Sequence, residues 1–169
     1  DVVRKKTYSR VNPETQTVGT PAGKVPDPDL GLEMVPKERY TTHDFMQREW
    51  AHIWTKVWLF GCREEQIPEP GDFYCTNIGK ESVLIVRQTD GGIRAFYNVC
   101  MHRGNRLAEE GLNQTESFVC GYHGWEYALD GSFVDIPDLE TFQQGKPPCS
   151  GLVEIPCDTW ISFVWFSLN

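Results

Sequence analysis

Two short motifs, each holding one cysteine and one histidine, constrain this chain more than any other feature of its sequence. The first is Cys-x-His, with Cys100 and His102, and the second is Cys-x-x-His, with Cys120 and His123. Seventeen residues separate His102 from Cys120. Thiolate and imidazole are both strong ligands for transition metals. We therefore expect two loops, each at the end of a strand, whose tips meet at a metal centre.

The distribution of these donors between the two motifs distinguishes two kinds of centre. Zinc sites with two cysteines and two histidines usually take both cysteines from one loop and both histidines from the other. Here each loop supplies one of each. That arrangement favours a [2Fe–2S] cluster in which one iron binds the cysteines and the other binds the histidines. A zinc-stabilised binding module with no redox role is the alternative from a different class.

The residues around the motifs add a resemblance to a known family. Phe-Tyr-Asn-Val at 96–99 precedes the first motif, and Tyr-Ala-Leu-Asp-Gly at 127–131 follows the second. With the ligand types and their interval, this pattern resembles the Rieske domain of the large (alpha) subunit of aromatic-ring-hydroxylating oxygenases. One departure is Gly121, where the family often has proline, and it leaves the ligand assignment intact. The resemblance covers residues 38–169, which correspond to the N-terminal third or so of a family member.

The resemblance implies a ligand set and an electron-transfer role. Cys100 and Cys120 would bind one iron, and His102 and His123 the other. The cluster would accept electrons from a reductase or ferredoxin and pass them to a mononuclear Fe(II), held by two histidines and a carboxylate in a second, catalytic domain. We expect that domain to be absent from residues 1–169, so we predict no catalytic residue, and electron transfer without hydroxylation. A full-length protein would form a homotrimer or an α3β3 assembly. A free-standing Rieske ferredoxin is the alternative.

Two aromatic residues of the second motif have predicted supporting roles. Trp125 is expected to pack against the base of the loops, and Tyr122 to donate a hydrogen bond near a cluster sulfur. The remaining histidines, His43 and His52, lie in a predicted helix without a neighbouring ligand at a suitable spacing. We do not predict either of them to bind metal.

Charge and composition exclude several other classes. The net charge is −8, and residues 41–169 carry nine Lys and Arg against eighteen Asp and Glu. An acidic body repels phosphates, so nucleic-acid binding is not expected. No apolar run approaches the roughly 18 residues of a membrane span, and no signal peptide is visible. Because nothing in the sequence argues for a disulfide and an oxidising compartment, we expect a cytoplasmic protein. The other four cysteines are interpreted as small core residues, although a disulfide between Cys149 and Cys157 is possible.

The hydrophobic pattern predicts a mostly β fold: a Rieske-type antiparallel β-sheet domain with two cluster-binding loops and an N-terminal helix. Residues 1–37, rich in proline and glycine, are predicted to be an extended arm, and residues 38–169 the domain. The helix is expected to begin at a cap provided by Thr41. Its apolar stripe, which includes Met46 and Trp54, is interpreted as core packing over a sheet. Strands are predicted at 72–78, 81–88, 93–98, 117–119, 126–129, 132–134, 152–155 and 160–168.

Overall fold

The computed structural model describes residues 34–143, 145 and 147–169. The chain divides into two units, Asp1–Arg39 and Tyr40–Asn169. The predicted N-terminal arm, residues 1–37, therefore lies outside the described residues except for 34–37. A short helix, α1, spans Glu38–Thr41, and the strands of the described chain belong to the second unit.

Helix α2 spans His43–Glu49 and continues directly into a π-helical turn, Trp50–Trp54. Its cap is Thr42, whose side-chain oxygen accepts a hydrogen bond from the Phe45 N–H at 3.4 Å. The prediction of Thr41 as the cap is wrong because Thr41 is the last residue of α1. Thr42 has the extended backbone, with φ −97° and ψ 138°, that a capping residue needs.

The apolar stripe of this helix is not part of the core, so the interpretation of it as core packing is wrong. Residues 43–54 include no buried side chain. Met46 and Trp54 are 44% and 41% exposed. Trp50 does approach the central sheet, because its indole ring lies over Gly79. Helical periodicity identifies an apolar face, but it does not identify what covers that face.

Three antiparallel sheets contain the strands of the described chain, which confirms the mostly β prediction. In chain order the strands are β1 (Leu59–Arg63), β2 (Asp72–Ile78), β3 (Glu81–Arg87), β4 (Ile93–Tyr97), β5 (Gly111–Gln114), β6 (Phe118–Val119), β7 (Glu126–Tyr127), β8 (Phe133–Asp135), β9 (Glu154–Ile155), β10 (Cys157–Trp160) and β11 (Phe163–Phe166). The central sheet has the order β5-β2-β3-β4-β9. The other two have the orders β1-β11-β10 and β6-β7-β8.

The predicted strand at 160–168 is only partly correct, because Trp160 ends β10, residues 161–162 form a turn and β11 covers Phe163–Phe166. Strands β10 and β11 pair antiparallel, with Trp160 opposite Phe163. The two residues between them, Ile161 and Ser162, have φ of 50° and 61°. Two-residue hairpin turns of type I′ have positive φ at both positions and usually contain Asn or Gly. An Ile-Ser turn carries no such signal, so the sequence pattern did not reveal the break.

Strand β3 lies in the middle of the fold and is buried on both faces. Val83, Leu84, Ile85 and Val86 are all 0% exposed. Leu84 and Val86 pack into a cluster that also contains both motif cysteines and side chains of β6 and β7. Val83 and Ile85 pack on the opposite face with side chains of β1 and β11. The central sheet is therefore sandwiched between the two smaller sheets.

The outer face of the β1-β11-β10 sheet is aromatic and largely exposed. Trp58, Phe60 and Trp160 are 51%, 52% and 55% exposed. Phe60 makes edge-to-face contacts with Phe163 at 5.6 Å and Trp165 at 5.9 Å. Exposed apolar patches of this kind commonly mark surfaces that another protein segment covers. We call this surface the aromatic face.

The packing of the central sheet against the β7–β8 turn predicts a large effect at Gly131. Gly131 and Gly91 both have positive φ, 82° and 83°. A Cβ at Gly131 would lie 2.7 Å from the buried Phe96 ring, whereas a Cβ at Gly91 would meet nothing within 4 Å. Because overpacking costs about 1–3 kcal/mol, Gly131→Ala should lower the free energy of unfolding by that much more than Gly91→Ala. Urea denaturation measures both. Equal losses would show that Phe96 does not pack as described.

Candidate metal centre

The two motifs occupy loops at different places in the fold but form the same local turn. The first lies in the connection from β4 to β5, and the second at the tip of the β6–β7 hairpin. The Gly104 N–H donates to the Cys100 carbonyl at 2.9 Å, and the Gly124 N–H donates to the Cys120 carbonyl at 2.9 Å. Gly104 and Gly124 have φ of 73° and 74°, a left-handed conformation that favours glycine. Each cysteine therefore begins an equivalent turn.

The two turns bring like donors together. The imidazole rings of His102 and His123 lie with centroids 4.5 Å apart. Cys100 and Cys120 lie in one buried cluster, both are 2% exposed, and the thiol of each shifts the pKa of the other. The sequence pairs a cysteine with a histidine, but the fold pairs sulfur with sulfur and imidazole with imidazole. A [2Fe–2S] cluster with one Cys₂ iron and one His₂ iron needs that arrangement.

His102 shows a direct sign that it could be a ligand. Its Nδ1 is buried and has no hydrogen-bond partner among the described residues. Buried polar atoms are nearly always paired, so this ring nitrogen, beside a second imidazole, fits a metal ligand. Burial, with smaller contributions from His123 and Arg103, lowers the pKa of His102 and favours the neutral imidazole that metals bind. Within the described residues, no three His, Cys, Asp or Glu side chains form a site for a single metal ion.

The two thiols differ in how readily they ionise. Burial raises the pKa of Cys100. Burial also opposes ionisation of Cys120, but hydrogen bonds, including those from the Tyr122 and His123 backbone, outweigh it and lower the pKa of Cys120. The Asn105 amide contributes as well, with its Nδ2 3.8 Å from the Cys120 sulfur, and this contact joins the first loop to the second. Thiolate is the metal-binding form, so these donors prepare Cys120 for coordination.

Tyr127 is a site residue that the sequence analysis did not identify. Its hydroxyl lies 3.2 Å from the Cys100 sulfur and accepts a hydrogen bond from the Met101 N–H at 2.9 Å. Because the oxygen already accepts from Met101, its own proton is available for the sulfur. Tyr127 is fully buried, and burial raises its pKa, so the hydroxyl keeps that proton. A usable signal was the alternating pattern at the start of β7, where Trp125 and Tyr127 are two residues apart and pack into the same buried cluster.

The surroundings of the two histidines are unequal. Trp125, predicted to pack at the base of the loops, is 3% exposed and stacks on the His102 ring at 4.7 Å. Phe142 also approaches His102, at 6.3 Å. His123 is exposed, and the Tyr122 ring lies over it at 3.9 Å. The hydroxyl expected from Tyr122 near a sulfur therefore comes from Tyr127 instead. His102 is shielded by an aromatic wall, while His123 faces outward.

The other four cysteines lie apart from this centre. Cys62 and Cys75 are buried, whereas Cys149 and Cys157 are partly exposed. All four are free thiols, so the possible disulfide between Cys149 and Cys157 is not formed. Burial raises the pKa of Cys62 to about 11 and that of Cys157 to about 12.

Comparison with known protein families identifies the centre. The family model of the Rieske [2Fe-2S] domain matches residues 57–153, a span that contains all four candidate ligands. The chain belongs to the Rieske [2Fe–2S] domain family. The donor pairs and the unpaired His102 nitrogen are consistent with the cluster of that family.

The described helices include none that is long and apolar enough to cross a membrane.

Curated relatives of this Rieske chain are large components of oxygenases. The large oxygenase component of the 2,4-dinitrotoluene dioxygenase system of Burkholderia sp. (strain RASC) is 38% identical over 119 residues, covering 69% of this chain and 26% of the relative. The large oxygenase component of salicylate 5-hydroxylase of Ralstonia sp. is 40% identical over 111 residues, covering 65% of this chain and 26% of the relative. This chain thus spans about a quarter of the length of these relatives.

Solved structures of similar proteins share the fold. Naphthalene 1,2-dioxygenase with indole bound in its active site superimposes with a TM-score of 0.71 at 32% identity, over 77% of this chain and 30% of that chain. The apo form of a quaternary ammonium Rieske monooxygenase gives a TM-score of 0.75 at 28% identity, over 80% of this chain and 40% of that chain. These comparisons give no support to the alternative of a free-standing ferredoxin.

The Tyr127 hydroxyl predicts a measurable effect on the Rieske cluster. A donor to a ligand sulfur stabilises the more negative, reduced state. Because a hydrogen bond contributes about 0.5–1.5 kcal/mol net, Tyr127→Phe should lower the midpoint potential by about 20–60 mV for a one-electron couple. Spectroelectrochemical titration measures this shift.

A matched control for that variant is Tyr97→Phe. The Tyr97 hydroxyl donates to the Leu168 carbonyl at 3.3 Å and so reaches a backbone oxygen instead of a ligand sulfur. The control should keep the wild-type potential. The same potential in both variants would rule out the assigned role of Tyr127.

Proposed function

We propose that this chain is the Rieske domain of the alpha subunit of a ring-hydroxylating oxygenase. Its [2Fe–2S] cluster is held by Cys100, Cys120, His102 and His123. The domain receives electrons one at a time from a reductase or ferredoxin, and they continue to a mononuclear non-heme iron for O₂-dependent hydroxylation. The observation that carries the proposal is that two loops place both thiols in one buried cluster and both imidazole rings side by side, with centroids 4.5 Å apart.

Each pair of ligands has a separate task. The two cysteines bind as thiolates in a buried setting, where the Tyr127 hydroxyl and backbone N–H groups offset their negative charge. The two histidines bind as neutral imidazoles, which lowers the total negative charge of the centre. When bound, the cluster accepts and donates one electron at a time. Trp125 keeps water away from His102, and the exposed His123 gives electrons a short route to a partner.

The proposal includes a larger assembly. Residues 1–37 form an arm and residues 38–169 the Rieske domain, while the mononuclear iron belongs to a catalytic domain outside residues 1–169. Relatives named as components of dioxygenase systems support a separate electron donor. The exposed aromatic face supports association with further protein, since such a surface is unusual on an isolated domain. We place the full protein in the cytoplasm, as a homotrimer or α3β3 assembly, without a nucleic-acid partner.

The experiment that tests this proposal is electron uptake by the 169-residue chain, reconstituted with iron and sulfide. Under anaerobic conditions, titration with a reductant should deliver one electron per chain and bleach the visible spectrum reversibly. Adding O₂ with an aromatic substrate should reoxidise the chain without forming a hydroxylated product. The chain should transfer electrons only, because the proposed mononuclear iron belongs to a catalytic domain outside residues 1–169. A hydroxylated product, or no electron uptake, would refute the proposal.

Two cysteine variants assign that uptake to the proposed ligands. Cys120→Ser removes a buried thiol at the centre and should abolish both the visible spectrum and electron uptake. Cys149→Ser removes a partly exposed free thiol that belongs to neither motif, and it should behave like the wild type. Electron uptake retained by Cys120→Ser would exclude this residue as a ligand.

A further inference from the structure

The two ligand loops are anchored in the fold by different means. The second loop is the tip of a hairpin, since β6 pairs directly with β7 through Phe118–Tyr127 and Val119–Glu126. The first loop leaves the central sheet at the end of β4 and rejoins it at β5. In the central sheet β5-β2-β3-β4-β9, these two strands are separated by β2 and β3. A strand ladder therefore closes the base of the second loop but cannot close the base of the first.

A single buried amide lies where the ladder is missing. Asn98 directly follows β4, is 3% exposed and precedes Cys100 by two residues. Its Oδ1 accepts hydrogen bonds from the Leu107 N–H at 2.9 Å and the Ala108 N–H at 3.1 Å. Its Nδ2 donates to the Ala108 carbonyl at 2.8 Å. These three contacts join the outgoing end of the first loop to its returning end.

The same amide also reaches the two strands that the loop crosses. Its Nδ2 lies 3.1 Å from the Ser82 hydroxyl on β3 and 3.3 Å from the Cys75 sulfur on β2. The Asn98 backbone N–H donates to the Ser82 carbonyl at 2.8 Å. An asparagine side chain offers two donors and two acceptor lone pairs, and all of them are used here. No smaller or apolar side chain could make this set of contacts.

We propose that Asn98 is the positioning residue that holds the first ligand loop in register with the second. The inference rests on the proposed function, because it concerns how Cys100 and His102 are presented to the cluster. Without the amide, the partly buried Leu107 and Ala108 N–H groups lose their partner, and the Ala108 carbonyl keeps only the long contact from the Cys75 sulfur at 3.8 Å. The loop then samples other positions relative to Cys120 and His123. Asn98 touches no ligand atom, so its effect passes through the backbone of residues 99–108.

A buried amide could instead contribute only to general stability, and Gln88 provides the matched control. Gln88 is 5% exposed, and its Nε2 donates to the Val86 carbonyl at 3.2 Å and the Leu129 carbonyl at 2.9 Å. Gln88 follows the last residue of β3, whereas Ser82 is near the first, so Gln88 lies at the end of the strand away from both loop tips. Gln88→Leu therefore removes a comparable buried brace without touching a ligand loop.

The test compares the reconstituted wild-type chain with Asn98→Ala and Gln88→Leu. Melting temperatures are measured first, so that a difference in iron release can be separated from a difference in overall stability. Iron release to a chelator is then followed by loss of visible absorbance, and the reduced cluster is examined by electron paramagnetic resonance. Because each unpaired buried group is costly, Asn98→Ala should release iron about tenfold faster than wild type and show a broadened spectrum. Gln88→Leu should stay within about twofold of wild type, with an unchanged spectrum.

Two results would contradict the proposal in distinguishable ways. A wild-type chain that binds no [2Fe–2S] cluster overturns the proposed function and this inference together. A loaded wild type, with equal iron release and equal spectra in Asn98→Ala and Gln88→Leu, overturns the role of Asn98 alone.

If Asn98→Ala does not fold, hydrogen–deuterium exchange on the unmodified protein decides the question. The Leu107 and Ala108 amides should then exchange as slowly as amides of β3, because Asn98 holds them in place. Exchange at the rate of exposed loop amides would overturn the proposal.

Discussion

The burial of β3 on both faces is the constraint on which the rest of the structure depends. Four consecutive apolar side chains, 83–86, leave no face of this strand for solvent. Each such side chain contributes about 1.5–3 kcal/mol when fully buried, so a layer must cover each side of the central sheet. One layer is the β6-β7-β8 sheet, which carries the second ligand loop. The other is the β1-β11-β10 sheet, whose outer surface is the aromatic face.

The metal centre follows from the way the first of those layers packs. Cys100 and Cys120 belong to the same buried cluster as Leu84 and Val86, so the core itself brings the thiols together. Burial disfavours thiolates, and the structure offsets this with donors aimed at the sulfurs, notably the Tyr127 hydroxyl and the Asn105 amide. The outcome is a centre with a dry sulfur side and a histidine side that opens outward at His123.

Much of this arrangement could be predicted from the sequence, because it is encoded locally. The four candidate ligands stand out by residue type and spacing, and strands β2, β3 and β4 follow from β-branched and aromatic runs between turn residues. The sequence could not predict in the same way which face of each helix or strand is covered by another part of the protein. The apolar face of α2 has the period of a core helix, yet the described part of the chain leaves it mostly exposed.

The roles of Tyr127 and Asn98 escaped the sequence analysis for a related reason. A tyrosine two residues after a tryptophan and an asparagine at a strand end are both common, so the sequence can indicate that Tyr127 is buried but not that it contacts a ligand sulfur. Their roles arise from contacts between segments far apart in the chain, such as Tyr127 with Cys100 and Asn98 with Cys75. The same holds for the β10–β11 turn, where the pairing of the two strands places the exposed Ile161 and Ser162 at positive φ without any turn signal in the residues.

The central claim is that two histidines and two cysteines bind different irons of one cluster. The most direct test is electron–nuclear double resonance on the reduced chain labelled with ¹⁵N-histidine. The account predicts two strongly coupled ¹⁵N nuclei, reduced to one by a substitution of either His102 or His123. Labelled His43 and His52 should contribute no coupling. A colourless protein with stoichiometric zinc, or a cluster without ¹⁵N-histidine coupling, would contradict it.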